Sequence, residues 1–149
     1  MDIANEMKLT MDSRSINEGF SRVAVSAFIA CADPNIEEIT DIKTAVSEAV
    51  TNAIVHGYRE KNGKIYITVS IFENNIIRIK IRDKGIGIED IDKAMEPLYT
   101  TKPQLERSGM GFAFMEAFMD DLEVESEPGR GTLVRMRKKM GSGSWIGEE

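Results

Sequence analysis

K-I-Y-I-T-V-S-I-F-E-N-N-I-I-R-I-K-I-R-D, Lys64 to Asp83, holds two runs of strict alternation. Ile65, Ile67, Val69 and Ile71 alternate with Tyr66, Thr68 and Ser70; beyond the turn residues Glu73-Asn74-Asn75, Ile77, Ile79 and Ile81 alternate with Arg78, Lys80 and Arg82. Successive strand side chains point to opposite faces, so each run has one apolar and one polar face, and the short turn joins them as a β-hairpin. Asp83 has the parity of the apolar series, so its carboxylate faces the side to be buried, immediately before Lys84-Gly85-Ile86-Gly87. A charge there is costly unless paired. It can cap the turn by accepting from the amides of Lys84 or Gly85, or accept from a ligand amino group such as that of adenine, and the pattern leaves both open.

Upstream of the hairpin, Met7, Leu9 and Met11 alternate with Lys8 and Thr10, which predicts a strand over 6–12. Ser15 followed by Glu18 fits a capping box opening a helix over 16–32, apolar at Val23, Ala24, Ala27, Phe28 and Cys31. A second helix is expected from Asn35 or Ile36 to about His56, with Gly57 as its stop signal. Ile39, Ile42, Val46, Ala49, Val50 and Ala53 share one face of it, and Glu48, Asn52 and His56, each four apart, form a polar stripe along the border.

Downstream, residues 84–111 include Gly85, Gly87, Pro97, Pro103 and Gly109, with room for one short helix over 89–95. A loop that long inside a domain is usually functional. Residues 111–119 predict a helix, and 122–127 and 132–138 a second hairpin around Pro128-Gly129-Arg130-Gly131. The order is strand, two helices, two strands, loop, helix, two strands. That is an α+β arrangement: a two-layer α/β sandwich with a mixed, mainly antiparallel sheet packed on helices, forming a single domain over 1–140. Residues 141–149, G-S-G-S-W-I-G-E-E, are expected to be a flexible tail or a scar left by cloning.

Composition narrows the chemistry. The chain has 149 residues, 42% hydrophobic and 30% charged, with a formal net charge of -6. An acidic chain is a poor generic nucleic-acid binder, so no direct nucleic-acid partner is expected. No apolar run approaches the ~20 residues of a membrane span, so no membrane partner is expected either. Cys31 is the sole cysteine and His56 the sole histidine, which excludes an internal disulfide and a zinc site of the Cys and His kinds. The expected compartment is the cytoplasm.

Phosphate-binding motifs of the common kinds fail. G-Y-R-E-K-N-G-K-I, Gly57 to Ile65, has a spacer one residue too long for a P-loop and Ile65 where a hydroxyl should meet magnesium. What remains is a constellation. Glu48 can accept a proton and Asn52 can offer magnesium a hard oxygen, or both can be a solvated flank. Thr100-Thr101-Lys102-Pro103 and Glu106-Arg107-Ser108-Gly109-Met110-Gly111-Phe112 gather hydroxyls, cations and amides ahead of a helix, as a triphosphate requires, or form an ordinary polar loop.

Taken in order, E-A-V-T-N-A-I-V-H-G (Glu48 to Gly57), R-D-K-G-I-G-I (Arg82 to Ile88), S-G-M-G-F (Ser108 to Phe112) and G-T (Gly131-Thr132) resemble the N, G1, G2 and final G-T elements of the Bergerat (GHKL) ATPase and kinase fold. V-S-E-A-V-T-N-A-I-V-H-G-Y and P-L-Y-T-T-K-P-Q-L-E-R-S-G-M-G-F resemble the anti-sigma kinases of spore-forming bacteria within it. The resemblance implies a homodimeric serine kinase that sequesters a sporulation sigma factor, sigma F, and uses ATP to phosphorylate a serine of an anti-anti-sigma factor, releasing ADP. It implies Asn52 as the magnesium ligand, Glu48 as general base, and Asp83 with Thr132 at the adenine. It also implies close backbone approach at Gly85 and Gly87, and a lid over 100–111. In that lid Thr100, Thr101, Lys102, the catalytic cation Arg107 and the amides of Ser108, Gly109, Met110 and Gly111 meet the phosphates, while Arg22 matches a partner-binding position. Two other readings share the nucleotide site: the catalytic domain of a histidine kinase, and a module that binds ATP without transferring phosphate.

Overall fold

The computed structural model describes residues 2–96 and 111–141. Along the chain run β1 (Ile3–Asp12), α1 (Ile16–Ile29), a 3-10 turn (Ala30–Ala32), α2 (Ile36–Asn52), a π-helical turn (Ala53–Gly57), β2 (Lys64–Phe72), β3 (Ile76–Asp83), α3 (Ile91–Ala94), α4 (Gly111–Phe118), β4 (Asp121–Glu127) and β5 (Gly131–Lys139). The strands form one sheet in the order β1-β2-β3-β5-β4. Every pairing in it is antiparallel, so the mixed sheet expected from sequence is antiparallel throughout the described residues. The chain leaves β3, crosses through α3 and α4 to the rim strand β4, and returns as β5 between them, which makes β3 and β5 antiparallel neighbours.

The alternation of the central hairpin becomes the core. Ile65, Ile67, Val69, Ile77, Ile79 and Ile81 are each no more than 2% exposed, and they cluster with Ile42, Val46 and Val50 of α2 and with Met115 of α4. Burying each such side chain contributes about 1.5–3 kcal/mol. The described helices cover this face alone, which gives the two-layer sandwich; Arg78, Lys80 and Arg82 alternate onto the other side.

Three local expectations are corrected. The buried stripe of α1 is Ser21, Val25 and Ile29, whereas Val23 is 64% exposed and Cys31 is exposed. Apolar residues occupy several sides of α1, so spacing does not single out a face. A 3-10 turn and the left-handed Asp33 (φ 54°) lead from α1 toward α2. Ser15 makes no capping bond and has helical dihedrals, and Glu18 pairs with Arg22 at 2.7 Å. The capping box stands on α2, where Asn35 accepts from the Glu38 amide at 2.8 Å and Glu38 accepts from the Asn35 amide at 2.9 Å. Gly57 is not the left-handed stop: the reversal falls on Arg59 (φ 53°) and Glu60 (φ 63°), and the Glu60 amide donates to Ile54 at 2.9 Å.

Candidate functional site

The helix bearing the polar stripe ends in an unusual way. After Asn52 the backbone widens to π geometry, with the Tyr58 amide donating to the Ala53 carbonyl five residues back at 2.9 Å. Such turns often stand at functional sites. Asn52 is half-buried and lines a cavity of about 710 Å3, a size suited to a small organic ligand. His56 and Gly57 line it too. Glu48 is half-buried one turn earlier and does not line the cavity.

Asp83 enters the same cavity from the end of β3, 5% exposed. Its Oδ1 accepts the Gly85 amide at 2.9 Å, so the turn cap and the cavity-facing carboxylate are one residue. Burial raises its pKa from 3.8 to about 6, against the opposing donors of the Gly85 and Thr132 backbone. Thr132, opposite Asp83 in the β3–β5 register, completes this wall.

Close backbone contact fixes the loop after β3. A Cβ on Gly85 would fall 2.0 Å from the Gly57 carbonyl oxygen, and one on Gly87 (φ 78°) 2.3 Å from the Glu127 carbonyl oxygen. The Ile86 amide donates to Gly57 at 2.9 Å, and Ile86 accepts from the Gly129 amide at 2.7 Å. Two side chains absent from the sequence reading hold this loop. The Ser126 hydroxyl accepts the Ile88 amide at 2.7 Å and lies 2.8 Å from the Thr132 hydroxyl. The Tyr58 hydroxyl accepts the Lys84 amide at 2.8 Å and donates to the Lys64 carbonyl. Ser126 faces Thr132 in the β4–β5 register, so a register drawn through the predicted hairpin is the signal that could find it.

Asn52, Asp83, Gly87, Gly111 and Thr132 thus share one cavity. Gly85 packs behind it, and Arg22 is on α1, its side chain 45% exposed. Thr100, Thr101, Lys102, Arg107, Ser108, Gly109 and Met110 lie outside the described residues. Among the described residues no group of three or more His, Cys, Asp or Glu side chains could hold a metal ion. No described helix is long and apolar enough to cross a membrane.

A five-stranded antiparallel sheet under helices, with an acid at one strand end and an amide at a helix end sharing a cavity, defines a class: the chain belongs to the histidine kinase-like ATPase family, whose domain matches residues 13–138. Within that class it belongs to the anti-sigma F factor family. It is 60% identical over 136 residues to the anti-sigma F factor of Clostridium perfringens strain SM101, covering 91% of this chain and 97% of that one. With the anti-sigma F factor of Thermoanaerobacter sp. strain X514 it shares 59% over 142 residues (95% and 99% covered), and with that of Bacillus velezensis 55% over 137 residues (91% and 93%). The fold matches part of a solved structure of the RsbU and RsbW domains of a Mycobacterium tuberculosis protein, at TM-score 0.67 and 19% identity, covering 92% of this chain and 32% of that one. The histidine kinase domain of an Erythrobacter litoralis blue-light activated histidine kinase aligns at TM-score 0.55 and 19% identity, covering 83% and 61%.

Proposed function

We propose that this chain, as a cytoplasmic homodimer, sequesters the sporulation sigma factor sigma F and, with ATP, phosphorylates a serine of an anti-anti-sigma factor. The observation that carries the nucleotide half of this reading is the convergence of Asp83 and Asn52 on one cavity. The partner half is supported by the names of the relatives.

Asp83 accepts from the adenine amino group, and Thr132 stands beside it. Gly87 lets the backbone approach the nucleotide. The serine oxygen attacks the γ-phosphorus, the bond to the β,γ-bridging oxygen breaks, ADP leaves, and the hydroxyl proton passes to Glu48. The donor set fits a cation held mainly by phosphates, since the described residues offer the Asn52 amide oxygen and no carboxylate cluster. Bound there, magnesium would neutralise phosphate charge. Thr100, Thr101, Lys102, Arg107 and the amides from Ser108 to Gly111 close over the phosphates, and Arg22 meets the protein partner.

One observation favours the second reading, a module that binds nucleotide without transferring phosphate: Glu48 is not part of the cavity wall. Incubation with γ-labelled ATP and a small anti-anti-sigma protein, followed by mapping of the label, separates the two. Label on a serine supports the kinase; retained ATP binding with no transferred label supports the module.

A further inference from the structure

The face of the sheet opposite the described helices carries an arrangement that strand pairing usually avoids. In the β3–β5 register Arg78 sits directly opposite Arg137, and Lys80 directly opposite Arg135. Like charges so placed are destabilising. On β5 they are neutralised: Arg135 pairs with Glu123 at 3.2 Å and Glu125 at 3.0 Å, and Arg137 pairs with Asp121. On β3 they are not. The neighbours across β2 are Ser70, Thr68 and Tyr66, and Arg78, Lys80 and Arg82 make no ion pair with any described residue. Arg78 lies 5.0 Å over the Phe72 ring, and its buried Nε has no hydrogen-bond partner. Burial, with Arg78, Arg135 and Arg82 nearby, holds Lys80 below the ordinary lysine range, opposed by Glu6.

We infer that the row Arg78, Lys80, Arg82 is a docking surface for an acidic, extended segment of a partner protein. Alternate residues of a strand recur about every 7 Å, so carboxylates on alternate residues of such a segment match the row. The chain's net charge of -6 repels a long polyanion, which favours a short acidic protein segment over nucleic acid. By strand parity the row faces away from Asp83 and the cavity, so this surface stands or falls independently of the nucleotide reading.

The test is calorimetric titration of the full chain at low salt with a short peptide bearing Glu at alternate positions, its Gln counterpart, and a short single-stranded DNA. The Glu peptide should bind, and both other probes should bind roughly tenfold more weakly or worse. Lys80→Gln with Arg82→Gln should weaken the Glu peptide roughly tenfold without lowering Tm, because removing like charges relieves repulsion; Arg78 stays in place on Phe72. Lys43→Gln, on an exposed position of α2, should change nothing. Equal affinity for the Glu and Gln peptides, tighter binding of DNA, unchanged binding in the double variant or a lowered Tm would each overturn the inference. So would a shift in sedimentation of the double variant, which would make the row a contact between copies of the chain.

Discussion

Gly57 and Asp83 touch where a side chain on the first would displace the second: a Cβ on Gly57 would lie 2.8 Å from the Asp83 carboxyl carbon and Oδ1. The π-helical turn therefore forms the wall against which the carboxylate is held. Gly57→Ala is expected to fold with a stability loss of about 1–3 kcal/mol, the usual range for overpacking, and to weaken adenine-nucleotide binding more than its stability loss alone explains. Chemical denaturation and nucleotide titration on one sample check both.

For Asp83→Asn, stability and binding should move in opposite directions. The folded pKa of about 6 exceeds the ordinary 3.8, so the folded state holds this proton more tightly. Its contribution is fully present below 3.8, declines as pH rises, and is lost above about 6. A shift of about two units corresponds to about 3 kcal/mol. Denaturation from pH 4 to 7 should show the wild type losing stability relative to Asp83→Asn as pH rises through that window, while the variant binds ATP more weakly at pH 7. A parallel pH profile for both proteins would remove Asp83 from this role.

Glu48→Gln should leave ATP affinity within a small factor of wild type and cut phosphoryl transfer by roughly 10²–10⁴, the usual cost of a lost acid–base group. Transfer at the wild-type rate would show that the proton leaves by another route, which the absence of Glu48 from the cavity wall makes a pointed question.

Asn35→Ala removes one half of the capping box at the start of α2. A loss of about 1 kcal/mol is expected. Ser15→Ala, at a position that makes no capping bond, should lie within a few tenths of wild type in the same urea titration.

The strands were readable because a period of two is unambiguous when one face is all Ile and Val, as in β2 and β3, and Asp83 declared itself by breaking that pattern. Asn52 was readable from its place on the border of a clear apolar stripe. The face of α1 was not, since Phe20, Val23, Val25 and Ile29 point several ways and tertiary contact decides among them. Nor were Ser126 and Tyr58, whose roles depend on hydrogen bonds to loop amides 38 and 26 residues away along the chain. Local spacing carries no record of such partners. The backbone widening after Asn52 left no mark either, because A-I-V-H-G reads equally well as one more regular turn.

That widened turn makes chain length a forgiving quantity just after Asn52. Five residues separate the Tyr58 amide from the Ala53 carbonyl that it bonds, and with one residue fewer between them the same bond would become the regular four-residue kind. Tyr58 would then stand at nearly the same angle, still within reach of Lys84. The same excision inside α2 would wind everything downstream by about 100°.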